Sequence, residues 1–151
     1  MQKSELLQMH NMGIVVEQLD NAIAFFEEIG LSLEARMMVE GPWAGQVTGL
    51  GHQKVEIAMM VTPDGQSRLE LSQFLEPSIQ ADHRRDPVNA WGYLRVMFRV
   101  SQLDELLLRL QKMGAVLEGQ VVTYENYYKL CYIRNAEGLL IGLAEQLNPT
   151  A

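Results

Sequence analysis

Apolar and polar residues alternate through Met12, Ile14 and Val16, and the period then changes from two to that of a helix, with Ala22, Ile23, Phe26 and Ile29 falling at i, i+3/i+4. This predicts a strand over 9–16, a helix over 21–29 burying those four residues, and a second strand from Leu31 to Val39. The same phrase is written again 84 residues later, so that Asn11 to Arg36 falls on Arg95 to Gln120, with Val16/Val100, Asp20/Asp104, Gly30/Gly114 and Glu34/Glu118 among the identical pairs. A repeat of this length fixes an architecture before any single motif is weighed. In both copies an Asp precedes the helical run and a Gly follows it. Asp20 and Asp104 are therefore predicted N-caps, and Gly30 and Gly114 predicted C′ stops, where only a residue without Cβ enters the left-handed region cheaply.

Glu40 to Gln53, with Gly41, Pro42, Gly45, Gly49 and Gly51, reads as a long loop carrying Trp43, and loops of that length are often lids or binding loops. Strands over 54–61 and 67–74, joined by a Pro63-Asp64-Gly65 turn, close a first βαβββ module over 9–76. A polar linker, 77–91, leads to a second module over 92–147: strand 92–100, helix 103–113, and strands 115–122, 127–134 and 139–145. The module ends match at a shift of 72, with Glu70-Leu71 on Gly142-Leu143 and Leu75-Glu76-Pro77 on Leu147-Asn148-Pro149. The smaller shift means that the second copy has lost most of the long loop. The fold class is α+β, a single domain over 1–151 built from tandem βαβββ modules that form a curved mixed sheet around a trough.

Parity says which residues line that trough. With Met12, Ile14 and Val16 on the helix, Asn11, Gly13 and Val15 face the other way, and by the repeat so do Arg95, Met97 and Arg99. Glu70, Ser72 and Phe74 form the matching face of strand four, and Leu140, Gly142 and Ala144 that of the last strand.

Composition narrows the partners. A net charge of −7 and a pI near 4.9 exclude the basic footprint of a nucleic-acid or polybasic membrane binder, leaving a small-molecule ligand or substrate, neutral or cationic by this charge. The single cysteine, Cys131, permits no internal disulfide or multi-cysteine metal cluster and suits the cytoplasm. Met1 to Leu7 carries Lys3 and Glu5 and lacks a signal-peptide core, and no apolar run nears the ~20 residues that cross a bilayer.

The stretches MGIVVEQLDNAIAFFEEIGL, RLELSQFLEP, RVMFRVSQLDELLLRLQKMGA and IRNAEGLLIGLAEQL, in this order and at paired spacing, resemble the vicinal oxygen chelate superfamily of glyoxalase I, bleomycin-resistance proteins and extradiol dioxygenases. The resemblance covers Met9 to Leu147. It implies tandem βαβββ modules, a homodimer, and a divalent metal held in the trough by four residues. Carried over one at a time, the first histidine position is Asn11, since His10 is one place too early. The glutamate of strand four is Glu70, the second module's histidine is Arg95, and the last glutamate is Gly142. Three of the four cannot serve, because an arginine places a fixed positive charge where the cation would sit and glycine offers no side chain. The site is therefore read as degenerate, with no metal and no cofactor.

Other candidates are weaker. Cys131 reads as a buried structural thiol, and His52 and His83 as solvated loop residues. His83-Arg84-Arg85 could clamp an anion, although a solvated connector is the preferred reading. Tyr124, Tyr127 and Tyr128 cluster on the second module's side. Two functions remain. The favoured one is a metal-free binding protein of the glyoxalase/bleomycin-resistance type, holding a ligand in the trough between the modules with Asn11, Trp43, Ser72, Phe74, Met97, Arg99, Tyr128 and Gly142 lining it. The alternative is a lactoylglutathione lyase-like lyase or isomerase acting beside a carbonyl, with Glu70 moving a proton and Arg95 as electrophile for a developing oxyanion.

Overall fold

The computed structural model describes residues 2–148, so Pro149 of the second module's end motif lies outside the described residues. The chain divides into two compact units, residues 1–78 and 79–151.

The first unit runs β1 (Met12–Val15), α1 (Leu19–Ile29), β2 (Ser32–Glu40), α2 (Pro42–Thr48), β3 (Lys54–Val61) and β4 (Arg68–Glu76). Its sheet has the order β1-β4-β3-β2, with β1 parallel to β4 and the other pairs antiparallel. One face is closed by α1, which buries Leu19, Ala22, Ile23, Phe25 and Phe26 against Ala58, Met60, Leu69 and Leu71. Ile29 is only half-buried, and Phe25 takes its predicted place in the core. Gly30 ends the helix at φ 131°, its N–H and that of Leu31 both donating to the Phe26 carbonyl.

The second unit runs β5 (Val96–Arg99), α3 (Leu103–Lys112), β6 (Val116–Leu117), β7 (Val122–Tyr124), β8 (Tyr128–Arg134) and β9 (Leu140–Gln146). Its sheet has the order β5-β9-β8-β6, with β7 also paired to β8. Again the first strand is parallel to the last, and Met97 stands opposite Gly142 as Gly13 stands opposite Glu70. Leu103, Leu106, Leu107 and Leu110 of α3 pack on Cys131, Ile133, Ile141 and Leu143. The fold is thus α+β with a repeated βαβ-ββ topology, as the hydrophobic pattern requires.

Three expectations are corrected. Glu40 to Gln53 is not a structureless loop, because α2 occupies its centre. Pro42 opens that helix with its φ already set, and Gly49, at φ 78°, closes it with its N–H on the Gly45 carbonyl at 2.8 Å. Gly45 lets the chain fold back, since a β-carbon there would lie 1.2 Å from the Gly51 carbonyl oxygen. The strand expected over 115–122 is split into β6 and β7. Between them the Glu118 N–H still reaches the Tyr132 carbonyl at 2.9 Å, but Gly119 and Gln120 leave the ladder.

Asp20 and Asp104 are not N-caps. Each lies one residue inside its helix, where its charge suits the dipole, and pairs instead with Arg36 at 2.6 Å or Lys129 at 2.8 Å. The orphan donors are met from the sheet: the Leu19 N–H donates to Gln73 Oε1 at 2.7 Å and the Leu103 N–H to Glu145 Oε1 at 3.0 Å. The linker is mostly exposed, as a solvated connector should be, but it is held in place. The Arg134 guanidinium donates to the carbonyls of Arg84, Asp86 and Gly138 and to the Tyr93 hydroxyl at 2.7–3.1 Å, tying 84–93 to the second unit. Arg84 is itself held by Asp82, at 2.7 Å, so His83-Arg84-Arg85 forms no anion clamp.

Candidate functional site

In each unit the helix takes one face of the sheet and leaves the other to be used. Parity along β4 is as the sequence requires: Leu69 and Leu71 are buried toward α1, and Glu70, Ser72 and Phe74 are half-buried on the opposite face with Gly13 and Val15 of β1. Met59 stands opposite Glu70 and Ile57 opposite Ser72, so the carboxylate rises from an apolar floor. Within this unit, among the described residues, Glu70 has no hydrogen-bond or ion-pair partner. Asn11, just before β1, is half-buried, and its amide Nδ2 donates to Nδ1 of His10 at 2.9 Å. Trp43 does not join this group. It is 60% exposed on α2, which packs on β2, at the far edge of the sheet from β1.

In the second unit the open face carries Arg95, Met97 and Arg99 along one edge, Gly142 and Ala144 beside them on β9, and Tyr128, Leu130 and Tyr132 on β8. Two contacts organise it. The Arg95 guanidinium lies over the Tyr132 ring, 4.7 Å from its centroid. The Met97 side chain lies across Gly142, so that a β-carbon on residue 142 would be 2.7 Å from Met97 Cε. Arg99 Nη1 donates to Gln146 Oε1 at 3.0 Å, and Tyr128 stands opposite Gln146 in the ladder. Tyr132 and Gln146 were not among the residues singled out by sequence, although Tyr132 has the same strand parity as Tyr128.

These side chains do not fit the metal that the resemblance implies. The first unit offers an amide and one carboxylate at the two ligand positions. The second offers a guanidinium and a glycine whose missing side chain is replaced in space by a thioether. Among the described residues no three His, Cys, Asp or Glu side chains come together as a metal would need. Cys131 does not serve either: it is buried against α3, and desolvation, with a smaller contribution from the charge of Asp104, pushes its thiol upward, away from the reactive thiolate. His52 and His83 lie on the surface against Glu76 and Asp86.

A sequence profile of the Glyoxalase/Bleomycin resistance protein/Dioxygenase superfamily matches residues 10–132. A crystal structure of a glyoxalase family protein from Bacillus cereus is 68% identical, with 98% of this chain and 99% of that one covered and a TM-score of 0.95. Two further structures are similar in fold alone. The trypanothione-dependent glyoxalase I of Leishmania major is 17% identical over 93% of this chain and 87% of its own, with a TM-score of 0.64. A variant of the fosfomycin resistance protein FosX from Listeria monocytogenes, complexed with Mn(II) and a dihydroxypropylphosphonic acid, is 10% identical over 92% and 90%, with a TM-score of 0.58. No protein of curated function matches the chain. No helix among the described residues is long and apolar enough to cross a membrane.

Proposed function

The chain belongs to the Glyoxalase/Bleomycin resistance protein/Dioxygenase superfamily, and from that premise we propose that it is a small-molecule-binding protein that acts without a metal at the four family positions. One observation carries the reading. Where the resemblance implies the second unit's two ligands, an arginine is stacked on Tyr132 and a glycine is covered by Met97. Both changes are accommodated by their neighbours rather than left as gaps. A face of this kind, with apolar side chains and few fixed polar groups, is what ligand recognition uses.

A second reading is kept by Glu70. A half-buried carboxylate on an open face, with no partner in its own unit, is free to take a proton beside a carbonyl, as a lyase or isomerase requires. It ranks below binding because membership of a fold family that hosts several functions does not by itself supply catalysis.

The test is a thermal-shift screen of chelator-treated protein against neutral, cationic and anionic small molecules, run with an assay for turnover of α-keto hemithioacetals. A ligand at a hundredfold excess over its Kd stabilises by about 2.7 kcal/mol, well within the reach of the method. Saturable stabilisation without turnover is the expected result. Turnover that disappears in Glu70→Gln would replace the binding reading with the enzymatic one, and an inert screen would reject both.

A further inference from the structure

We propose that Arg95 is an oxyanion-binding residue, and that the ligand is a small organic acid, a carboxylate or phosphonate joined to an apolar body that lies on Met97. The inference rests on the small-molecule reading above and narrows its ligand class.

The chain is acidic overall, and its arginines mostly spend their charge on carboxylates: Arg36 on Asp20, Arg68 on Glu34, Arg84 on Asp82, Arg109 on Glu105 and Arg134 on Glu118. The two on the open face of the second unit are held differently. Arg95 rests on a ring face and Arg99 on an amide oxygen. Within this unit, among the described residues, neither has an acidic partner. An aromatic face and an amide fix the direction of a guanidinium without cancelling its charge, so its ordering cost is met before the ligand arrives. Positively charged groups held by neutral partners keep their charge for an incoming anion and attract it locally, against the repulsion of a chain of net charge −7.

The register supplies the rest of the ligand. Residues 95, 97 and 99 share a face by strand periodicity, and Met97 lies between the two arginines, spread over Gly142. About 13 Å of strand separates Arg95 from Arg99. One compact anion is therefore not expected to engage both fully, and an oxyanion at Arg95 places whatever it is attached to on the Met97 thioether. Tyr132 is then a positioning residue, acting through Arg95, and Arg99 adds a longer-range attraction.

Titration calorimetry on the full chain, with phenylacetate, phenylphosphonate, inorganic phosphate and benzyl alcohol, tests this directly. The two aromatic acids should bind saturably and more tightly than phosphate or benzyl alcohol, and the stronger of the two identifies the oxyanion. Arg95→Gln should weaken binding by about tenfold or more, since a charge-assisted hydrogen bond is lost. Tyr132→Leu should weaken it with the charge intact, and Arg95→Lys should fall between. Arg85→Gln, removing an exposed charge elsewhere, should leave it unchanged. Benzyl alcohol binding as well as the acids, or equal losses in Arg85→Gln and Arg95→Gln, would overturn the oxyanion assignment while leaving small-molecule binding in place. If Tyr132→Leu has no effect, the positioning role is wrong. If neither these compounds nor the neutral and cationic molecules of the wider screen bind, both proposals fall.

Discussion

Met97 lies across Gly142, close enough that a β-carbon on residue 142 would be 2.7 Å from Met97 Cε and 3.2 Å from its Cβ and Cγ. The two positions are thus coupled, and the glycine is a packing requirement of its neighbour rather than an empty place. Restoring a carboxylate by Gly142→Glu forces Met97 aside, and such overpacking costs about 1–3 kcal/mol. Met97→Ala should relieve much of this. In urea denaturation the double variant should be more stable than the sum of the single effects allows. Strict additivity would show that Met97 does not occupy that space in solution.

A second expectation concerns assembly. Residues 2–11 form neither helix nor strand, yet they present Leu6 and Leu7 at 92% and 87% exposure together with Met9. Three large apolar side chains in one short exposed segment are suited to burial against another surface. We propose a homodimer in which this segment docks on the partner. Light scattering should give twice the chain mass at micromolar concentration, and Leu6→Ser/Leu7→Ser should shift the equilibrium toward monomer. A monomeric wild-type chain would reject the dimer, and a variant as dimeric as the wild type would reject the segment's role.

The fold was largely legible because its signals are periodic and written twice. Val16, Ala22, Ile23 and Phe26 are all buried where the pattern puts them, and β3 has the very bounds expected. Parity also gave the two faces of β4, because a strand offers only two sides and α1 claims one, whereas Leu140 to Ala144 of β9 are buried on both faces. What was missed depends on contacts distant in sequence. The helix α2 was hidden by glycines that usually mark loops, although Pro42 at its start and Gly49 at its end were present as signals. The stack of Arg95 on Tyr132 joins residues that meet only because β5 and β8 both border β9, a pairing that no local spacing reveals. Arg134's grip on 84–93 is of the same kind.

The helix caps show the same lesson in a form that can be measured. Local sequence offered Asp20 and Asp104, but Gln18 and Gln102 occupy the N-cap positions without capping, and the first N–H of each helix is met instead by the sheet. Gln73 follows Glu70 by three residues as Glu145 follows Gly142, so the two caps are one device repeated in both units. Removing the acceptor leaves a part-buried donor unpaired. Gln73→Ala and Glu145→Ala should therefore each destabilise by about 1 kcal/mol. The loss at Glu145 should be the larger, because a carboxylate there also answers the helix dipole. Glu145→Gln keeps the oxygen and should recover part of the difference. Asp20→Ala and Asp104→Ala disturb largely exposed ion pairs and a screened dipole interaction and should have smaller effects. Denaturant titration of the four alanine variants orders them, and hydrogen exchange at Leu19 and Leu103 locates the change. Should the Asp variants prove the more damaging pair, the caps are local after all and the contacts from Gln73 and Glu145 contribute little.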